Sequence, residues 1–389
     1  MTDVFTRRPD ARRVLAIDGG GIRGALAVGI LAELEATLRQ RFGRPDLVLA
    51  DYFDLIGGTS TGAIIAAGLA LGRDCAYLRD LYDRMGPMVF RRGGLPRLWG
   101  VQSRFDPRAL ERVIKGELGD ATLGTAPWRA GFAAIAKRVD TGSCWVLSNC
   151  PGQAFWNGDP DEIANEPDPS RRMVIPNRDY SLAKIVQASA AAPFFFDMVR
   201  MKIVKDEPGL FFDGAMTPHG NPALQLAMTV LIPGYGFGWQ AGADKLLIVS
   251  VGTGQPRPVK PAWVRQPSVL AMWKAVHALT SMGYDTSQLA IAVLQWLGES
   301  PQRWRLNRDL GDLSNALPLG QPLWTFVRYD APLEAAWLRE HLELEYAPPR
   351  LAGLGRIDDD REVPELYRIG RLAGARLIRG EHLAGFDLE

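Results

Sequence analysis

The feature that most restricts this chain is Gly58-Thr59-Ser60-Thr61-Gly62, set between an apolar strand pattern and a small-residue helical pattern. A sharp strand-to-helix turn pushes a serine hydroxyl into the open, and a glycine on each flank lets the backbone pass closely. The helix behind it offers unpaired N–H groups and a partial positive charge where an oxyanion would develop. Residues 52–56 read as the feeding strand and 61–71 as the helix. Upstream, 14–17 is a short apolar run ending in glycines, as a buried parallel strand should be. Residues 25–41 carry Leu26, Ile30, Leu31, Leu34 and Leu38 on one helical face until Gly43 and Pro45 close it. Strand–helix–strand–helix predicts an α/β fold with a largely parallel central sheet.

A second glycine turn, Asp18-Gly19-Gly20-Gly21-Ile22-Arg23-Gly24, also lies between a strand and a helix. Three consecutive glycines can aim several backbone amides into one concave spot, an anion cradle. The same letters contain Gly19-x-Gly21-x-x-Gly24, the dinucleotide fingerprint, for which Asp51 would be the acidic partner. A dinucleotide site has no need of a second glycine elbow centred on serine. Two glycine turns on neighbouring strand ends suit one job: one holds a nucleophile, the other its oxyanion.

A serine nucleophile needs a base. Of the four histidines, only His219 lies near a candidate acid, in the stretch from Phe211 through Asp213-Gly214-Ala215 to His219. Two arrangements fit: a Ser60–His219–Asp triad, or a direct pair in which Asp213 takes the serine proton. A carboxylate of ordinary pKa, about 3.9, is a poor base, but burial would raise it.

The order D-G-G-G-I-R-G, then G-T-S-T-G, then D-G-A resembles the patatin-like phospholipases, a family of lipid acyl hydrolases. Ala188-Ser189-Ala190-Ala191-Ala192-Pro193 and Val251-Gly252-Thr253-Gly254 match as well, so the likeness runs from Asp18 to Gly254. It implies a three-layer α/β/α core with a mainly parallel sheet. It also implies Ser60 as nucleophile, Asp213 as base in a Ser-Asp dyad with Gly214 and Ala215 completing the acid motif, and no metal or cofactor. Gly58, Thr59, Thr61 and Gly62 would form the nucleophile elbow. Gly19, Gly20, Gly21, Arg23 and Gly24 would form the oxyanion loop, with the amides around Gly20 and Gly21 as donors. His219 falls outside the family motif. The expected reaction is release of fatty acids from membrane phospholipids. A general carboxylesterase or transacylase is the nearest alternative, and a nucleotide-binding regulatory module the alternative of another class.

The rest of the chain bounds the partners. Lys+Arg 45 against Asp+Glu 44 gives a net charge of +1, so no global basic field exists to hold a nucleic-acid polymer. Cys75, Cys144 and Cys150 show neither a disulfide framework nor zinc spacing, which fits a reducing compartment. The apolar run after the N-terminal arginines is too short for a signal-peptide core, and 63–71 falls short of the roughly 20 residues that span a bilayer. A cytoplasmic protein is expected, peripheral on the inner face of the membrane when it meets lipid.

Residues 84–100 combine four arginines with Met, Phe, Leu and Trp and no acid, which suits a membrane interface or a loop tucked back on the core. Phe194, Phe195, Phe196 and Met198 are candidates for an acyl groove, and 226–239 reads as a flap or a buried connection. Ser181 is placed to cap a helix through Ala190, 210–212 and 245–251 are further strands, and 159–178 is a loop. Prolines cluster at 256–267, after which helical patterns dominate: 272–281, 288–297 and 366–378. The working division is a catalytic unit over 1–255 and a mainly helical region over 256–389, where Trp263, Trp273, Trp296 and Trp304 would pack helices on the core or form a lid. That tail resembles bacterial cytosolic members, some of which act in antiphage signalling with a cyclic nucleotide as switch. The resemblance admits such an activator here, and the residues leave the oligomeric state open.

Overall fold

The computed structural model describes residues 11–89, 105–193, 195–258, 271–314 and 316–388. Phe194, Trp263, most of the arginine-rich stretch and the side chain of Trp273 lie outside the described residues.

Nine strands form one sheet: β1 (Arg12–Ile17), β2 (Leu55–Thr59), β3 (Gly131–Arg138), β4 (Cys144–Ser148), β5 (Val199–Lys202), β6 (Pro208–Asp213), β7 (Leu246–Val251), β8 (Glu299–Gln302) and β9 (Thr325–Tyr329). Their order is β5-β6-β3-β2-β1-β7-β9-β8, with β4 also on β3. The pairings from β3 through β2, β1, β7 and β9 to β8 are parallel. Those of β4, β6 and β5 are antiparallel. The sheet is therefore mixed but mainly parallel, as expected.

Helices cover both faces, which is why the central strands are apolar throughout rather than alternating. Leu15 and Ile17 of β1 pack into one core, with α1 (Gly24–Phe42), α2 (Thr61–Ala70), α3 (Cys75–Val89), α4 (Leu182–Ser189) and α7 (Val363–Leu377). Val14 and Ala16 face the other core, beneath α5 (Ala223–Leu231) and α6 (Ala271–Leu297). The result is three layers, α/β/α.

Several local expectations change. Tyr52 is in a helical turn, Leu49–Tyr52, and the strand begins at Leu55 and runs through both glycines. Asp51 caps that turn by accepting from Val48 N at 3.2 Å and pairs with Arg129 at 2.6 and 2.7 Å. It precedes β2, at the opposite end of the parallel strands from the Gly19–Gly21 turn, so it is not placed to serve a dinucleotide there. Residues 272–281 and 288–297 belong to one continuous helix, since no proline stands between them to break it. The loop at 159–178 holds a short helix, Pro160–Asn165, capped by Asp159. Ser181 caps α4 as expected.

Beyond residue 255 the region is largely helical, yet it also extends the sheet: β9 pairs with β7 from Leu247↔Thr325 to Val251↔Tyr329.

Candidate active site

β2 pairs with β3 up to Thr59↔Ile135. The next residue of β3, Ala136, pairs with Asp213, the last residue of the oppositely running β6. β4 occupies the other edge of β3, where Ala136 faces Trp145. β2 and β6 thus meet end to end on one edge of β3, and Ser60 and Asp213 stand at the junction. Phe211, packed edge-on against Trp145 at 5.4 Å, anchors β6 there. Ser60 Oγ donates to Asp213 Oδ2 at 2.6 Å, with the two residues only 8% and 2% exposed.

The elbow explains the glycines. Ser60 has φ 57° and ψ −127°, a strained conformation for a residue with a Cβ. A Cβ on Gly58 would overlap the Gly62 carbonyl, and one on Gly62 would overlap the Ile17 carbonyl, so the turn closes only with both absent. Three side chains hold it. Ser60 N donates to Ser189 Oγ at 3.0 Å, and Ser189 Oγ donates to Ile135 O at 2.6 Å. Thr59 Oγ1 donates to His219 O at 2.7 Å. Thr61 Oγ1 bonds the buried Tyr82 hydroxyl.

Burial pushes the Asp213 carboxyl up to about 7, because the charged form loses its water. The Ser60 hydroxyl and the Ala215 N–H, which donates to Asp213 Oδ1 at 2.7 Å, offset only part of that rise. At this value the carboxylate is poised near neutrality, where a general base works best. His219 joins the site through its backbone: its carbonyl accepts from Thr59, and its imidazole makes no hydrogen bond to Ser60. Burial lowers its pKa.

The Gly19–Gly21 turn lies against this pair; a Cβ on Gly19 would sit 3.1 Å from Ser60 Cβ. Gly19 N–H is occupied, donating to Gly220 O at 2.9 Å, and Ile22 N–H donates to Ile357 O at 2.9 Å. Gly20 and Gly21 are the residues of the turn whose N–H groups have no partner among the described residues. Thr253 Oγ1 braces the turn from behind by donating to Gly19 O at 2.8 Å, and a Cβ on Gly20 would overlap that threonine. Gly24 lies against the Tyr82 hydroxyl and Thr61 Oγ1, where a Cβ would not fit.

Arg23 does not face solvent. It is buried beside Gly355 O, at 3.4 Å, its Nε lacks a partner, and burial lowers its pKa to about 10 against the pull of Asp330 and Asp18.

Sequence reasoning missed the charge network beneath this turn. Arg328 donates to Asp18 Oδ2 and Asp330 Oδ2, each at 2.7 Å, and to Ser250 Oγ at 2.6 Å, all buried. Asp330 Oδ1 in turn accepts from Gly254 N and Ala331 N at 2.9 and 2.8 Å. Burial raises the Asp18 pKa to about 6, with Arg328 pulling it back. No local pattern marks an arginine 310 residues away as the partner of Asp18.

A cavity of about 320 Å³ opens over Ser60, Asp213 and the glycine turn. Its other walls are mostly apolar, with Ile64, Met85, Val89, Leu110 and Met216 among them, and Phe195 and Phe196 complete the lining. Phe105 stacks on Phe195 at 5.8 Å and fixes that wall. Met198 points elsewhere and is exposed. Residues 226–239 lie on the opposite face and are neither a flap nor wholly buried: Leu226 and Val230 of α5 are in its core, 232–234 are exposed, and Phe237 meets Trp239 edge-on at 5.5 Å.

Among the described residues, no group of three or more His, Cys, Asp or Glu is placed to hold a metal, and no helix is long and apolar enough to cross a membrane.

A family model described as patatin-like phospholipase matches residues 15–227, more than half of the chain. The chain belongs to the patatin-like phospholipase family. Patatin-17 of Solanum cardiophyllum is 27% identical over 293 residues, covering 71% of this chain and 68% of its own length. A cGAMP-activated phospholipase of Vibrio cholerae serotype O1 is 33% identical over 117 residues, 28% of this chain and 33% of its own. Among solved structures, human GIVD cytosolic phospholipase A2 aligns over 98% of this chain and 61% of its own, with TM-score 0.44 and 12% identity. The chain thus spans about two thirds or less of the length of these proteins. In this patatin-like chain the matched stretch contains both glycine turns and Asp213, whereas Thr253, Arg328 and Asp330 lie beyond it.

Proposed function

We propose that this chain hydrolyses fatty acyl esters of phospholipids at a membrane surface, with Ser60 as nucleophile and Asp213 as its base. The observation that carries the reading is the 2.6 Å contact between Ser60 Oγ and a buried carboxyl whose pKa sits at about 7, on the floor of an apolar cavity. Ser60 Oγ attacks the ester carbonyl while Asp213 takes its proton. The oxyanion rests on the N–H groups of Gly20 and Gly21, donors of a kind worth about 2.7–4 kcal/mol in transition-state stabilisation. Gly19, Arg23 and Gly24 shape and anchor that turn rather than donate to it. Collapse breaks the ester C–O bond, and the departing lysolipid alkoxide recovers the proton from Asp213. Water, deprotonated by the same carboxylate, then attacks the acyl-enzyme, and the fatty acid leaves as Ser60 regains its proton.

Phospholipid as substrate is supported by the family and by the apolar walls flanking the pair. Activation by a cyclic nucleotide is supported by the Vibrio cholerae relative, whose name describes a cGAMP-activated enzyme. The test is mass-spectrometric product analysis on phosphatidylglycerol and phosphatidylcholine vesicles, with and without cyclic nucleotides. Free fatty acid and lysolipid should form with the wild type and disappear with Ser60→Ala. Unchanged turnover in that variant would remove Ser60 as nucleophile.

A further inference from the structure

The proposed hydrolysis and the core use only one side of α6. Thr280 and Gly283 line the catalytic cavity, and Ser287, Ile291 and Leu294 are buried against the body of the protein. The opposite side is apolar and open. Met282 is 62% exposed, Leu289 61% and Trp296 44%. They recur every seven residues, so each heptad returns them to the same face with a drift of only about 20°. Asp285 and Ala292 stand at the alternate positions, completing the spacing of a seam along which one helix packs on another. From Met282 to Trp296 that seam runs about 21 Å.

The apolar row widens on one flank. Leu310 is exposed and shares an open groove with Leu289 and Ala292. The segment that bears the exposed Leu317 and Leu319 is tied at both ends to the last turns of α6. There Gln295 Nε2 donates to Asp312 O at 3.2 Å, and Leu323 N donates to Leu297 O at 2.9 Å. Single exposed leucines are ordinary, but a row of this extent marks a contact surface.

Charge decides what covers it. Asp285 stands exposed within the row and lines the same groove as the exposed Arg305 and Arg308. None of the three has a partner among the described residues. An acid in the middle of the face is repelled by an anionic bilayer, whereas an acid and cations side by side complement a second copy of themselves. We infer that this face of α6 is the interface of a homodimer. A second copy lays its own α6 antiparallel across the row, about a two-fold axis at Leu289. Leu289 then meets the partner's Leu289, and Met282 meets the partner's Trp296 in a sulfur–aromatic contact. The loops carrying Arg308 fall on the same flank, so Asp285 of each copy faces the partner's Arg308. A parallel pairing would instead set both Asp285 carboxylates in one layer, like charge against like. This interface does not depend on the hydrolase reading.

The test is sedimentation equilibrium of the full chain over a range of concentrations, with far-UV circular dichroism of each variant as the check on folding. The wild type should approach twice the 42.8 kDa of one chain. Leu289→Glu changes an exposed side chain, so it should stay folded while its dimer dissociates about ten-fold or more readily. Asp285→Arg and Arg308→Glu should each weaken the dimer about ten-fold, and the two changes together should restore it to near the wild-type affinity. A monomer at every concentration, a dimer untouched by Leu289→Glu, or a double variant no tighter than either single one would overturn the inference. So would a monomer that binds phosphatidylglycerol vesicles and loses that binding in Leu289→Glu, which would make the face a lipid contact.

Discussion

Ser189 receives the backbone N–H of Ser60 on its hydroxyl at 3.0 Å and hands its own proton to the Ile135 carbonyl at 2.6 Å. That hydroxyl is the strut between the strained elbow and the strand that carries it. Ser189→Ala leaves the Ser60 N–H buried and unpaired, at a cost of about 1–3 kcal/mol. A lowered Tm together with a several-fold loss in kcat is expected. A change in Tm alone would show that the hydroxyl supports the fold but not the nucleophile.

The elbow's strain makes a second comparison informative. Ser60→Ala and Ser60→Gly should both abolish turnover, but glycine accepts φ 57°, ψ −127° without penalty. The glycine variant should therefore be more stable than the alanine variant by about 1 kcal/mol or more, read from denaturant unfolding. Equal stabilities would mean that the turn is relaxed.

Asp213 sets the pH dependence. With its carboxyl raised to about 7 by burial, kcat/KM should fall about ten-fold per unit below that value. Asp213→Asn should cost at least two orders of magnitude, whereas His219→Ala should stay within a few-fold. Linkage gives the sign for stability. The folded state holds this proton more tightly than the unfolded chain does. Its contribution is therefore fully present below about 3.8 and is lost as pH rises through about 7. The Tm of Asp213→Asn relative to wild type should accordingly climb between pH 4 and 8; a difference that is flat with pH contradicts the raised value.

Arg328→Met removes the cation from between two buried carboxylates, and stranding buried charge in this way costs about 3–5 kcal/mol. The deficit in Tm should narrow as pH falls towards about 6, because without the pull of Arg328 the Asp18 carboxyl is pushed above that value and takes up its proton there. Turnover should fall as well, because Asp18 opens the glycine turn. A stable and fully active Arg328→Met variant would disconnect this network from the site.

The parts of the site written in local backbone chemistry were legible in the sequence. Gly58 and Gly62 announce a turn that no Cβ can enter, and the Gly19–Gly21 run announces free amides, so both could be placed before any contact was known. The strand that aligns them was not. β3 reads Gly-Phe-Ala-Ala-Ile-Ala-Lys-Arg, whose alanines favour helix locally, and only the neighbours on both edges make it a strand. β9, Thr-Phe-Val-Arg-Tyr, is made largely of strand formers and is hidden instead by its length, five residues among helical patterns. Ser189, Thr253, Arg328 and Asp330 act through partners far away in the chain, and periodicity carries no trace of such pairings.

Because Thr59, next to the proposed nucleophile, and the proposed base pair with consecutive residues of one strand, Ile135 and Ala136, that strand sets the spacing of the reactive pair. Within the chain linking β3 to the acid, from 139 to 207, the wall residues Phe195 and Phe196 can change while Ser189 holds the elbow and the reactive pair keeps its registration. Selectivity for different acyl chains could be rewritten in that span, by selection or in the laboratory, without retuning the chemistry.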